Sequence, residues 1–203
     1  MIIRRGAEAE IHLTKWRGQK VIAKRRVPKT YRLAVLDEDL RQVRIKTEAK
    51  LLASARKVGV PTPAVLDINS SDCELVMEYI DGPRLKDVLP EADPTERQEL
   101  LRTVGKHVGT LHSQDIIHGD LTTSNMIVEG GLIYFIDFSL GEWSIEFESK
   151  GVDLHVLMEA YESTHPELLE EFKFVMEGYR EKFKDAKAVE DKIQDIISRG
   201  RYT

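Results

Sequence analysis

The stretch His118-Gly119-Asp120-Leu121-Thr122-Thr123-Ser124-Asn125 sets a carboxylate and a carboxamide five positions apart, with a histidine two positions ahead of the carboxylate. These residue types suit phosphoryl transfer. A carboxylate at Asp120 can accept or orient the proton of an attacking hydroxyl or water, which makes it the candidate catalytic residue. The amide oxygen of Asn125 is a hard ligand for a cation that bridges phosphates. Seventeen residues beyond Asp120, Asp137-Phe138-Ser139 closes the apolar run Leu132 to Ile136. Asp137 is placed to be the main Mg²⁺ ligand, with Phe138 packed beneath it. Alone, that tripeptide would carry little. Downstream of the first motif and of a Gly130-Gly131 turn, it is specific. His118 is read as a brace for the loop, because Asp120 is better placed as the base.

Val21-Ile22-Ala23-Lys24 supplies the cation that such a site needs. A lysine inside a strand is costly to bury without a partner. Glu48 lies mid-helix among apolar positions and is the expected partner; the rival, Glu38, lies near the helix start. Lys24, so paired, would hold the α- and β-phosphates of a nucleotide. Gly6-Ala7-Glu8-Ala9-Glu10 occupies the place of a phosphate loop, with one glycine where such loops carry three. Glu8 is unexpected beside phosphates and is read as facing a metal, Lys24 or a substrate. At the end of a further strand, the backbone groups of Glu78 and Ile80 are candidates for the edge of adenine, with Met77 limiting the pocket's depth. Asp153 has two readings, a cap on its own helix or a clasp on the catalytic-loop backbone. His107 and His112, five apart, suit no shared metal and are read as helix-surface or core residues.

The elements that must hold these residues follow from periodicity. Strands are expected at Ile2 to Arg5, Ile11 to Trp16 and Lys20 to Arg26, with turns at Gly6 to Glu10 and Arg17 to Gln19. A helix is expected from about Asp37 to Val58, with Leu40, Val43, Ile45, Leu51, Leu52 and Ala55 on its apolar face. Strands follow at Ala64 to Ile68 and Glu74 to Ile80. Asp81-Gly82-Pro83 reads as a linker, which divides the chain into residues 1–80 and 81–203. The second part reads as helical: Arg84 to Leu89, Thr95 to Ser113, Val152 to Tyr161, Pro166 to Phe183 and Ala188 to Ile197. A hairpin of Met126 to Glu129 with Leu132 to Ile136 lies among these helices.

The chain has 203 residues and a net charge of −5, with 41 % hydrophobic and 32 % charged residues, a composition of a globular protein able to bury a core. Its charge is uneven. Residues 1–57 carry 16 Lys and Arg against 6 Asp and Glu, and residues 58–203 carry 14 against 29. Lys15 to Arg32 holds eight basic residues and no acidic one, a run that attracts phosphates. No apolar stretch is long enough to span a membrane, no signal peptide is evident, and a single cysteine, Cys73, excludes an internal disulfide framework. The expected compartment is the cytoplasm.

In order, Lys24, Glu48, His118, Asp120, Asn125 and Asp137 resemble the eukaryotic-like protein kinases over residues 1–160. The departures are specific. His-Gly-Asp replaces His-Arg-Asp, Asp-Phe-Ser replaces Asp-Phe-Gly, and only fifteen residues separate Asp137 from Asp153. This truncated pattern resembles the small kinase subunit of the KEOPS (EKC) tRNA-modification complex, the p53-related protein kinase family, in an archaeal form. Arg5-Gly6-Ala7-Glu8-Ala9-Glu10, the run Lys24 to Arg32, the two loop motifs and Arg199-Gly200-Arg201 carry the resemblance across the chain.

The resemblance implies an α+β, two-lobed kinase-like fold: a small β-rich lobe, a helical lobe, and most of the activation segment missing. It implies ATP and Mg²⁺ as cofactors, ATP hydrolysis and Ser/Thr phosphorylation, and a role in threonylcarbamoyl-adenosine formation on tRNA. The implied partners are the threonylcarbamoyl transferase subunit, other KEOPS subunits and, through the complex, tRNA. The transferase is expected against Ser139 to Gly151, where Leu140, Trp143, Ile145 and Phe147 offer apolar anchors. Ser198 to Thr203 is expected to be a tail that reaches tRNA. The competing readings are a RIO-type kinase, a small-molecule kinase and a silent pseudokinase scaffold.

Overall fold

The computed structural model describes residues 2–6 and 8–200. Alternating strand residues give β1 (Ile2–Arg5), β2 (Ala9–Trp16) and β3 (Gln19–Arg26). β2 starts two residues ahead of the expected Ile11, because Ala9 and Glu10 pair with Arg26 and Arg25 and extend the ladder. Arg17 and Gly18 join β2 to β3 with φ of 48° and 84°, the left-handed two-residue turn whose twist suits a hairpin. β4 (Val65–Asn69) and β5 (Glu74–Glu78) complete an antiparallel sheet of order β1-β2-β3-β5-β4. Asn69 and Asp72 close the β4–β5 turn by hydrogen-bonding each other. β5 ends at Glu78, so Tyr79 and Ile80 lie in the connection rather than in the expected strand.

Helix α1 (Ala34–Lys57) lies between β3 and β4 and starts three residues ahead of the expected Asp37. Asp37 sits in its first turn, where a carboxylate favours the helix dipole, and its side chain accepts from Arg41 (2.7 Å) and the Lys29 N–H (3.4 Å). Ile45, Ala49, Leu51, Leu52 and Ala55 are buried. Leu40 and Val43, expected on the same face, are exposed. The buried stripe is thus confined to the second half of α1, and burying Glu48 (1 % exposed) within it requires partners.

From residue 85 the chain is mainly helical: α2 (Leu85–Val88), α3 (Pro94–Ser113), α4 (Phe147–Thr164), α5 (Phe172–Lys182) and α6 (Ala186–Gly200). Asp93 caps α3 by accepting from the Thr95 and Glu96 N–H groups at 2.9 and 3.0 Å, and Pro94 fits its first turn. Leu101, Val104, Val108 and Leu111 line the buried side of α3 and join one core with Leu154, Leu157, Tyr161, Val175 and Tyr179. α4 starts at Phe147, not Val152. The expected helix Pro166 to Phe183 is a 3₁₀ turn, Pro166–Glu171, followed by α5. β6 (Ile116–Ile117) pairs with β9 (Glu142–Trp143), a contact that periodicity did not suggest. β7 (Met126–Glu129) and β8 (Leu132–Phe135) form the expected hairpin over Gly130 and Gly131.

Ser198, Arg199 and Gly200 continue α6 instead of leaving it as a tail, and Arg199 pairs with Glu148 at 3.0 Å. Arg201, Tyr202 and Thr203 lie outside the described residues. Among those described, no helix is long and apolar enough to cross a membrane.

Candidate active site between sheet and helices

A cleft of about 310 Å³ separates the sheet from the helical part, with Ile22, Met77, Glu78, Ile80, Asn125 and Asp137 among its walls. Ile11, Lys24 and Asp137 also line a second cavity of about 200 Å³, whose roof is Gly6, Glu8 and Ala9. One end is therefore largely apolar, and the other carries charge under the short loop between β1 and β2. Gly6 tightens that loop by donating to the Ala9 carbonyl at 2.9 Å. Ala7 lies outside the described residues.

Lys24 enters from β3 and donates to Glu48 Oε1 and to Asp137 Oδ1, each at 2.6 Å. The other oxygen of Glu48 accepts from Arg26 at 3.2 Å, so the glutamate is bonded on both sides. Burial alone would lower the Lys24 pKa; Glu48 and Asp137 outweigh it and raise it. Burial pushes the Asp137 carboxyl up, but Lys24 overrides this and holds it at about 2. Because the folded value lies below the usual one near 4, ionised Asp137 stabilises the fold above pH 4. That contribution fades as pH falls from about 4 to about 2, and amounts to roughly 2 kcal/mol. Denaturant melts at pH 6 and pH 2.5 should show Asp137→Asn losing less stability on acidification than the wild-type chain. An equal loss in both would reject this linkage.

Asn125 ends the 3₁₀ turn Thr123–Asn125 and is buried. Its Nδ2 donates to the Asp120 carbonyl (3.0 Å) and to Asp120 Oδ2 (2.8 Å). Both amide hydrogens are thereby engaged, and Oδ1 remains as the ligand atom. The Asn125 carbonyl accepts from the Ile136 N–H at 3.0 Å, which sets the turn beside Asp137. Asp137 itself is left-handed, φ 67°, a conformation aspartate tolerates better than most residues.

His118 is buried. Its Nδ1 accepts from the Asp120 N–H (3.2 Å), so Nε2 carries the hydrogen given to the Ile136 carbonyl (3.1 Å). Burial lowers its pKa despite nearby carboxylates and keeps it neutral. It braces both loops, as its position in the motif suggested. Asp153 takes the second of its two readings: it accepts from the N–H groups of His118 (2.9 Å) and Gly119 (2.8 Å).

The RIO domain model matches residues 15–141. The chain is 43 % identical to the KEOPS complex subunit Bud32 of Pyrococcus abyssi, with 99 % of this chain and 96 % of that protein aligned. It belongs to the Bud32 family. It is also 44 % identical, over its whole length, to a probable bifunctional tRNA threonylcarbamoyladenosine biosynthesis protein of Methanothermobacter thermautotrophicus, of which it spans 36 %. Among solved structures, the Rio2 kinase of Chaetomium thermophilum, described as an ADP/Mg²⁺-phosphoaspartate complex, matches with a TM-score of 0.68 at 15 % identity. That match covers 95 % of this chain and 69 % of that one and places the fold among two-lobed kinase-like structures. A RIO-type kinase and a KEOPS subunit, set apart as rival readings of the sequence, thus meet in one family: the RIO domain is what a Bud32-type chain is built on.

The family's short activation segment has a physical counterpart here. Gly119 is left-handed (φ 84°), and a Cβ on it would lie 2.3 Å from the Leu140 carbonyl oxygen. The arginine of a His-Arg-Asp motif therefore has no room unless Leu140 moves. Lys150, 2 % exposed, donates to Asp115 Oδ1 (2.8 Å) and to the Ser144 carbonyl (3.0 Å), tying the segment down over β6. Sequence reasoning missed Lys150. It also left His112 without a role, although its Nε2 meets Asp153 (3.2 Å) and its Nδ1 meets the Tyr179 hydroxyl (3.0 Å). Neither could be found by spacing, because their side-chain partners Asp115, Asp153 and Tyr179 lie 35 to 67 positions away. Glu8 shares the second cavity with Lys24, but its ion pairs are with Arg26 at 3.3 Å and with Arg44. Glu78 does not offer its N–H to the cleft, since that group donates to the Ala64 carbonyl at 2.9 Å. Of its backbone groups, only the carbonyl stays a candidate for adenine.

Proposed function

We propose that the chain is an ATP- and Mg²⁺-dependent kinase and ATPase that supports threonylcarbamoyl-adenosine formation on tRNA as a cytoplasmic KEOPS subunit. The observation that carries the catalytic part is Lys24 held at 2.6 Å by both Glu48 and Asp137 in the wall of a nucleotide-sized cleft. Adenine would lie against Met77 and the backbone of Glu78 and Ile80, between parts 1–80 and 81–203. Lys24, positioned by Glu48, would hold the α- and β-phosphates under Gly6, Ala7, Glu8 and Ala9. Asp120 would orient a serine or threonine hydroxyl, or a water. The carboxylate of Asp137 and the amide oxygen of Asn125 are hard oxygen donors, which suit Mg²⁺ when phosphates and waters complete its shell. Bound there, Mg²⁺ would neutralise charge building on the phosphates.

The transferase subunit would dock on the segment after Asp137, where Leu140, Trp143 and Ile145 are exposed. The pathway is that of the relatives, a KEOPS complex subunit and a probable bifunctional tRNA threonylcarbamoyladenosine biosynthesis protein. Reconstitution of tRNA modification with the partner subunits should depend on this chain and fall at least tenfold with Asp120→Ala. Full modification without the chain would overturn the proposal; full modification with that variant would reduce the chain to a scaffold.

A further inference from the structure

The fold divides the basic run Lys15 to Arg32 into neutralised and free charges. Lys24 is in the cleft, and Arg26 is buried against Glu8 and Glu48. Arg25 pairs with Asp72 (3.8 Å) and Arg32 with Asp37 (3.5 Å). Lys15, Arg17 and Lys20 remain together at the tip of the β2–β3 hairpin. Among the described residues Lys15 and Arg17 form no ion pair, and Lys20 has only the exposed Asp81 at 3.9 Å.

This tip is poorly arranged for folding alone. Lys15 and Lys20 are directly opposed across the ladder, where like charges repel. Arg17 occupies a left-handed turn position (φ 48°) that Asn, Asp or Gly would fill with less strain. Its guanidinium lies 4.3 Å from the centroid of the half-buried Trp16 ring. Lys20 extends over Tyr79 at 4.7 Å, which carries the positive surface toward the connection beside the cleft. Three cations concentrated beside a stacked indole, with one exposed carboxylate near them, match a polyanion that also presents flat rings.

We propose that the hairpin tip, residues 15–20, is an RNA-binding surface. Lys15, Arg17 and Lys20 contact phosphates, and the Trp16–Arg17 stack receives an unpaired base. Trp16 and Arg17 are also residue types that anchor protein interfaces, so an acidic protein partner is the alternative outcome, and separate responses to RNA and to heparin decide between them. The acidic balance of residues 58–203 confines attraction for RNA to this end of the molecule. Naming tRNA as the RNA rests on the proposed role in tRNA modification; affinity for single-stranded RNA does not.

The test titrates the full chain into an end-labelled tRNA transcript, a single-stranded oligoribonucleotide and heparin at several salt concentrations, reading affinity from the anisotropy of the labelled ligand and contact with Trp16 from tryptophan fluorescence. Both RNAs should quench the wild-type signal. Lys15→Ala/Lys20→Ala should weaken RNA binding at least tenfold at low salt and flatten the log K against log salt slope by about one to two. Trp16→Phe should abolish the quench and weaken RNA binding while sparing heparin. Basal ATP hydrolysis should be unchanged in both variants. RNA affinity within twofold of wild type in the double variant, or no RNA binding by the wild type, overturns the proposal. So does a Trp16→Phe variant that loses RNA and heparin equally. Absence of ATP hydrolysis in the wild type would instead sink the catalytic reading and leave the RNA result standing. Binding of the oligoribonucleotide but not tRNA would keep the surface and reject tRNA as its ligand.

Discussion

Asp137→Ala should lower ATP turnover by roughly two decades or more, about 2.7 kcal/mol or more of lost transition-state stabilisation. The residue leaves β8 in a left-handed conformation that aims its carboxylate at Lys24, while the turn bearing Asn125 is fixed beside it by one backbone hydrogen bond. Alanine removes one of two protein oxygens able to hold the metal. Lys24 keeps its 2.6 Å bond to Glu48, so no buried cation is stranded. The variant should therefore remain folded, with a modest stability loss from the lost ion pair and from alanine's poorer tolerance of φ 67°. Asp137→Asn separates the two effects, since asparagine accepts that conformation but carries no charge. Turnover should fall in both, and stability should fall less in the asparagine variant. Either variant retaining near-normal turnover at saturating Mg²⁺ would remove Asp137 from the metal site.

How much was legible depended on how local each signal was. Lys24, Asp120, Asn125 and Asp137 sit in contiguous motifs, and the fold brings Lys24 to Asp137 and Asn125 to Asp120. Glu48 was found because a charged residue among buried helix positions demands a partner. The two halves of Asp153's reading could not be separated by sequence. Both readings suit a carboxylate near an expected helix start; the observed start at Phe147 places Asp153 inside α4, and the N–H groups of His118 and Gly119 reach it there. The start of α1 lies three residues ahead of the expected one because its first turn carries exposed Val35 and Leu36 rather than the buried stripe that periodicity tracks. The tail reading of Ser198 and Arg199 failed for a related reason. Flanking glycine and arginine look like a helix end, but Glu148 on α4 offers Arg199 a partner one turn further on.

Lys24→Met should cost more stability than Asp137→Asn and an equally large loss of turnover. Lysine is the single cation between two carboxylates, so removing it leaves Glu48, 1 % exposed, with Arg26 alone, and leaves Asp137 facing it across the cleft. Breaking a buried pair from one side costs about 3–5 kcal/mol when the remaining charge has no relief. Arg26 at 3.2 Å and the partial exposure of Asp137 bring this case down to or just below that range, about 2–3 kcal/mol. The second substitution should then be compensatory. In Lys24→Met/Asp137→Asn the stranded charge is gone, and stability should recover by about 1 kcal/mol or more relative to Lys24→Met, while turnover stays low. Urea melts of the four proteins measure that coupling directly. Additive losses in the double variant would mean that Lys24 and Asp137 do not interact in the nucleotide-free protein. Lys24 would then serve Glu48 alone until phosphates arrive.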